Sequence, residues 1–348
     1  MNFQTIKSLP KVELHTHLDG SISLITLKKL AKIANKSLPP DEEVIRNLHV
    51  LANCQSLASY LKCFEVVMPF LQSEEALKTA AYDLIAQAAD ENIVYIEVRF
   101  APMLFILEGL SVDEIIKSVA DGLKQGYLGY GVRSNMILCA MRGHDLETNK
   151  RVIDYAVMYR KIGVVGVDLA GDEAAYPPKI YLEWFNYAKE KGINLTVHAG
   201  ECGSAENISD SIAFGAKRIG HGTSMRGHRD LIDTCILHNI HIEMCPTSNL
   251  QTKAISNMKE YPFQAFYNAG LSISVNTDNR SVSGTTLTNE WQALQVTTEI
   301  IHKITLEALL SSFATEEEKQ LIANEITLVN QERRNDERSN PIFKRTGD

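Results

Sequence analysis

No C-x-x-C pair occurs among the six cysteines, Cys54, Cys63, Cys139, Cys202, Cys235 and Cys245, and their scattered spacing offers no disulfide framework. A reducing compartment is the expectation. Basic charge is in deficit: 35 Lys and Arg stand against 43 Asp and Glu, a net charge of −8, which argues against nucleic acid or an anionic membrane as partner. No apolar run reaches membrane-spanning length, and residues 1–10 carry neither a basic stretch followed by an apolar one nor an Arg-rich amphipathic pattern. The chain is therefore expected in the cytoplasm, acting on a small neutral or cationic ligand. No Gly/Ser-rich or Pro-rich linker, low-complexity tract or sequence repeat divides the 348 residues, so one domain over 1–348 is expected.

What is present is a globular composition, 45% hydrophobic and 22% charged, and a repeating architecture. Short runs rich in Val, Ile and Leu alternate with longer helical patterns, the order of βαβ units and a parallel sheet. Eight such runs fall at about 11–17, 93–100, 133–139, 164–169, 194–198, 218–221, 240–244 and 272–277. The expected fold is α/β, a (β/α)8 TIM barrel with a helical insertion after strand one (about 18–92), further C-terminal helices and a charged tail (about 331–348) that frays. Ser111 with Glu114, and Thr315 with Glu318, read as capping boxes. In the insertion, Leu57, Leu61 and Phe64 fall at helical spacing. They are expected to pack the insertion onto the barrel, the alternative being that they roof a pocket.

Nearly every strand ends in a chemically capable side chain: His15 and His17, Arg99, Arg142, Asp168, His198, His221, Glu243 and Asp278. A β/α barrel keeps its active site at that end, so the ring is expected to mark one site. In Lys11-Val-Glu-Leu-His-Thr-His17, alternation puts His15 and His17 on one face of the strand, able to share an ion. H-x-H alone is weak evidence, but His198 and Asp278 point to the same mouth and complete a three-nitrogen, one-oxygen set suited to zinc. Binuclear hydrolases on this scaffold carry a bridging lysine at the end of strand four. That stretch here reads Val167-Asp-Leu-Ala-Gly171, so a single metal is expected.

Glu201 follows the ligand His198 by three residues across a bend at Gly200, which brings a carboxyl group beside the ion. His221, in Ile219-Gly-His-Gly222, ends the next strand. A solvated glutamate and an ordinary core histidine are the plainer readings of these two, and proximity to the ligands moves the functional reading ahead.

The stretches Lys11-Val-Glu-Leu-His-Thr-His-Leu-Asp-Gly20, Asp168-Leu-Ala-Gly-Asp-Glu173, Thr196-Val-His-Ala-Gly-Glu201, Ile219-Gly-His-Gly222, Cys245-Pro-Thr-Ser-Asn249 and Val275-Asn-Thr-Asp-Asn279, taken in series, resemble the adenosine deaminase family. The resemblance runs from about Leu9 to Leu310. It implies His15, His17, His198 and Asp278 as ligands of one zinc ion, with Glu201 giving a proton to purine N1. His221 and Asp278 would orient the attacking water at C6. The products would be ammonia and inosine. It further implies that the Gly171 N–H meets purine N3, that Asp19 binds the ribose 5′-hydroxyl, and that His17 borders the substrate. Asp19, where members acting on free adenine tend to carry Glu, favours a nucleoside, and its charge disfavours a 5′-phosphate. One departure stands out: Asn279 occupies the position of the family's second aspartate, the contact to purine N7. An amide donates to that acceptor directly, whereas an aspartate must first hold a proton.

Two other readings compete. One is a deaminase of another 6-aminopurine, such as adenine or a modified nucleoside; the other is a silent barrel with a binding role, against which the joint presence of the six metal and proton-handling residues argues. A cytidine-deaminase type of zinc site is excluded because its joint signature, H-x-E with P-C-x-x-C, is absent: the chain has no P-C-x-x-C. Subunit number is not legible in the sequence.

Overall fold

In a computed structural model, which describes residues 1–50, 54 and 56–339, eight parallel strands pair in the order of the chain. They are β1 (Lys11–His17), β2 (Ile93–Phe100), β3 (Arg133–Met141), β4 (Val164–Ala170), β5 (Asn194–Ala199), β6 (Arg218–His221), β7 (His241–Met244) and β8 (Ser272–Val275). Nearly every strand residue is buried, as expected where side chains face either the barrel interior or the surrounding helices. β-Branched and aliphatic residues fill that two-sided burial, and the intervening amphipathic helices cover the outside.

The ring closes by an isolated parallel bridge between Thr16 of β1 and Asp278 in the segment after β8. His17 N donates to Asp278 O at 2.7 Å and Asp278 N to His15 O at 2.9 Å. Below them the Asn276 side chain does what a strand would do, its Oδ1 accepting from the backbone N–H groups of Leu14 (2.8 Å) and His15 (3.2 Å). The bonds that close the barrel thus come from the residues expected to hold the metal.

Both expected capping boxes are formed: Glu114 accepts from Ser111 N at 2.8 Å, and Glu318 from Thr315 N at 3.1 Å. The long first connection is helical, with Leu24–Ile33, Asp41–Leu48, Leu57–Leu61 and Glu74–Asp90. After β8 come the helices Leu287–Leu294, Thr298–Ser311 and Glu316–Ser339, the second packed against β8 and β1. The backbone of the expected charged tail is helical as far as Ser339, and residues 340–348 lie outside the described residues. Among the described residues no helix is long and apolar enough to cross a membrane.

Candidate active site

Four side chains remote in sequence converge at the strand ends. His15 Nε2 and His17 Nε2 lie 3.1 and 3.2 Å from His198 Nε2, and Asp278 Oδ1 stands 3.3 Å from the first two. What lies behind them decides which atoms face inward. His15 Nδ1 meets Glu243 Oε2 at 2.8 Å and His198 Nδ1 meets Asp168 Oδ2 at 2.9 Å. A carboxylate can only accept, so each Nδ1 carries the hydrogen and each Nε2 presents a lone pair. Burial holds His17 well below the ordinary histidine range and lowers His198, favouring the unprotonated form, whereas at His15 burial is outweighed by the bonds to Asp278 and Glu243, which raise it. Asp278 Oδ1 is buried with no hydrogen-bond partner. Lone pairs pressed together around an unpartnered carboxylate oxygen repel one another unless a cation stands among them, so this donor set fits a divalent metal ion.

The floor explains part of the ring read from the strand ends. Arg99, Asp168 and Glu243 are fully buried and do not line the cavity; they hold the residues that do. Arg99 donates to Asp168 at 2.8 Å and to Glu243 at 2.7 Å, and Arg218 adds a second cation to Glu243 at 2.6 Å. Despite burial, His198 and Arg99 hold the Asp168 carboxyl far below the usual range, and Arg99 and Arg218 do the same for Glu243. Arg142 also turns away from the cavity, donating to the His198 carbonyl at 2.6 Å. One site formed as expected, but these four residues position it and do not face it.

Two site residues adopt left-handed backbone that side chains other than glycine seldom take, His221 with φ 67° and Asp278 with φ 60°. Each is held there by a neighbour from the segment after β7. Ser248 Oγ donates to Asp278 Oδ2 at 2.7 Å, and Asn249 Nδ2 donates to His221 Nδ1 at 2.9 Å. Tyr261 donates to Asn249 Oδ1, the other end of that amide, at 3.3 Å. His221 Nδ1 is therefore the acceptor and Nε2 carries the hydrogen, buried without a hydrogen-bond partner and 3.5 Å from Glu201 Oε2.

Glu201 is buried, and its loop is anchored by a residue whose role the sequence did not reveal. The backbone N–H groups of Gly200, Glu201 and Cys202 donate to the Glu173 carboxylate at 2.7, 3.0 and 3.3 Å, and Asn207 Nδ2 adds a fourth bond at 2.7 Å. Glu173 lies inside one of the quoted motifs, but nothing in its spacing says that it receives backbone donors 27 residues onward. Burial, with Asp278 and Glu173 nearby, pushes the Glu201 carboxyl well above the usual carboxylate range.

These groups border a cavity of about 210 Å³ lined by His17, Asp19, Gly171, His198, Glu201, His221, Asp278 and Asn279. Gly171 has φ 102°, a conformation open to glycine, and so brings bare backbone to the cavity wall. Burial pushes the Asp19 carboxyl up to about 6. Leu57, Leu61 and Phe64 line the opposite side, correcting the expectation that they only pack the insertion. A larger cleft, about 1170 Å³, runs along the outer helices past Glu206, Arg229 and His238, but the converging buried polar groups described above belong to the smaller cavity.

A parallel β/α barrel whose mouth brings a His/Asp cluster able to hold a metal ion beside a buried carboxyl group and an imidazole has the makings of a metal-dependent hydrolase. The family model for adenosine deaminase matches residues 10–329. An adenosine deaminase of Enterococcus faecalis is 42% identical over 331 residues, covering 94% of this chain and 98% of the relative. One of Streptococcus agalactiae is 44% identical over 292 residues, covering 84% and 86%. Among solved structures, an adenine deaminase from Arthrobacter aurescens superposes with a TM-score of 0.85 at 22% identity, covering 93% of this chain and 100% of that one, a likeness of fold. The chain belongs to the adenosine deaminase family.

Proposed function

We propose that this protein hydrolyses adenosine, and 2′-deoxyadenosine, to the corresponding inosine and ammonia, using one zinc ion held by His15, His17, His198 and Asp278. The observation that carries the reading is the convergence of three imidazole Nε2 atoms and an unpartnered carboxylate oxygen beside a buried acid at one small cavity. Zinc in that place supplies Lewis acidity that brings the pKa of water from 15.7 to about 7.

The chain's own residues then divide the proton work. Glu201, protonated because it is buried among other carboxyl groups, gives its proton to purine N1, which leaves C6 short of electrons. The His221 Nε2–H and Asp278 orient a water toward C6. Its oxygen adds to that carbon while one of its protons passes to the Asp278 carboxylate; as the tetrahedral carbon collapses, the 6-amino group takes that proton and leaves as ammonia, and the remaining hydroxyl proton returns to Glu201 as C6=O forms. The product has C6=O and N1–H, so atoms and charge balance. A positioned acid of this kind is worth about 10²–10⁴ in rate.

Recognition falls to the cavity wall. The Gly171 N–H faces purine N3, Asn279 donates to N7, and Asp19 accepts from the ribose 5′-hydroxyl. A buried carboxyl group at that end repels a 5′-phosphate, which favours a nucleoside over a nucleotide. Six cysteines, free in the structure, support residence in the cytoplasm. Ammonia release by purified protein given adenosine, with and without a chelator and with metal content assayed in parallel, tests the reading. Metal-replete protein that releases none overturns it, and release from adenine but not adenosine moves it to the neighbouring activity.

A further inference from the structure

Tyr60, from the short helix Leu57–Leu61 of the insertion, is 1% exposed although its helix lies at the cavity rim. Its hydroxyl reaches into the barrel and stands between two residues of the segment after β8, 2.7 Å from Ser283 Oγ and 3.0 Å from Asn279 Nδ2. Tyr60 and Asn279 both line the cavity.

Which way the Asn279 amide faces follows from its other neighbour. A side chain at Gly20 would place its Cβ 1.8 Å from Asn279 Oδ1, so the bare Cα–H of that glycine faces this oxygen. A carbonyl oxygen gains a weak C–H···O contact there, whereas an NH2 group would be pressed against a hydrogen that cannot accept. Oδ1 has no stronger partner, being buried without a hydrogen bond. The NH2 group therefore lies toward Tyr60, and one N–H donates to the phenol oxygen. The same phenol oxygen is held by Ser283 Oγ at 2.7 Å, a bond that either hydroxyl can donate. The second N–H of Asn279 remains for the cavity.

We infer that Tyr60, held by Ser283, is a positioning residue that fixes the Asn279 amide as a hydrogen-bond donor to the ring nitrogen of the bound purine opposite the reacting edge. This rests on the proposed nucleoside substrate. An amide can present either end, so a fixed orientation is what turns Asn279 into a reader of an acceptor. A ligand bearing C–H at position 7 leaves that buried donor unpaired and is rejected.

The product nucleoside and its 7-deaza analogue separate this inference from the proposed reaction, because binding of inosine and 7-deazainosine by calorimetry requires no turnover. The unaltered protein is expected to prefer inosine by about tenfold to a hundredfold. Tyr60→Phe, and independently Ser283→Ala, should bring that ratio down about tenfold or more while affinity for 7-deazainosine changes little. A purely structural role would weaken both ligands together and leave their ratio unmoved. A ratio unchanged in both variants, with unaltered circular dichroism, overturns the assignment. Absence of ammonia release from adenosine overturns the proposed reaction instead, and the two failures are read in separate experiments.

Discussion

Arg99 and His15 share one carboxylate oxygen: Glu243 Oε2 accepts from Arg99 at 2.7 Å and lies 2.8 Å from His15 Nδ1. Through its other nitrogen Arg99 reaches Asp168, which holds His198, so a single guanidinium supports the partners of two proposed metal ligands. The first prediction follows. Arg99→Met takes the guanidinium from buried Asp168 and leaves Glu243 with Arg218 alone, and removing one member of a buried pair costs about 3–5 kcal/mol. A lower melting temperature together with weaker metal retention under a graded chelator series is expected; wild-type retention would show that Arg99 does not position the ligands.

Glu201→Gln keeps the shape of the side chain and removes the proton it gives. Metal content should stay at the wild-type level while kcat for adenosine falls by about 10²–10⁴. Turnover within a few-fold of wild type would rule Glu201 out as the acid.

Loss of a ligand should act differently. His17→Ala removes one of three converging nitrogens and leaves Asp278 Oδ1 without one of its two 3.3 Å neighbours. Metal content measured after dialysis should fall along with activity, and the loss should exceed that of Glu201→Gln because it takes the metal and everything the metal activates. A fully metal-loaded, active variant contradicts the ligand set.

Gly20→Ala tests how closely the segment after β1 approaches that after β8. The added Cβ would lie 1.8 Å from Oδ1, 2.6 Å from Cγ and 2.8 Å from Cβ of Asn279, which is itself buried. Either backbone or amide must move. A KM for adenosine raised about tenfold or more, with kcat at saturation much less affected, is the expected split. Unchanged KM would mean that Asn279 does not contact substrate.

A pH effect is predicted away from the site. Burial pushes the Glu290 carboxyl up to about 7 from its ordinary 4.5, while it accepts from Thr247 N at 2.9 Å and from Thr285. A carboxyl raised in the folded state contributes fully below the unfolded value, and that contribution is lost as pH rises through the folded one. Its window is therefore roughly pH 4.5 to 7, with a span on the order of 3 kcal/mol. Glu290→Gln cannot titrate, so denaturant melts should show the variant gaining on wild type between pH 5 and 8. Parallel stability curves across that range would refute the assignment.

Local pattern alone was enough for the strands. β1, β2 and β6 begin and end where hydrophobic runs and flanking turns placed them, and β3 is only two residues longer than expected, because period and side-chain shape act within a few residues of chain. The residues at the strand ends were legible for the same reason, since a parallel barrel puts all those ends at one rim. Beyond this, the sequence was silent in identifiable places. It did not say that Arg99, Asp168 and Glu243 lie beneath the ligands while His17 and Glu201 face the cavity, because alternation along one strand does not report the stagger between strands. It gave Glu173 no partner, since those donors belong to a loop 27 residues away. Tyr60 carried no signal either, because its hydroxyl meets Ser283 across 223 residues of chain. The amino-acid order determined which elements form and which reactive side chains reach one end of the barrel. Only closure of the ring, with the segment after β8 bonded to β1 through His15, His17 and Asp278, decided which of those side chains meet and which way their lone pairs and hydrogens point. Hydrogen bonds and metal-ligand contacts depend on distances of about 3 Å or less, and such distances between remote segments exist only once the chain has folded.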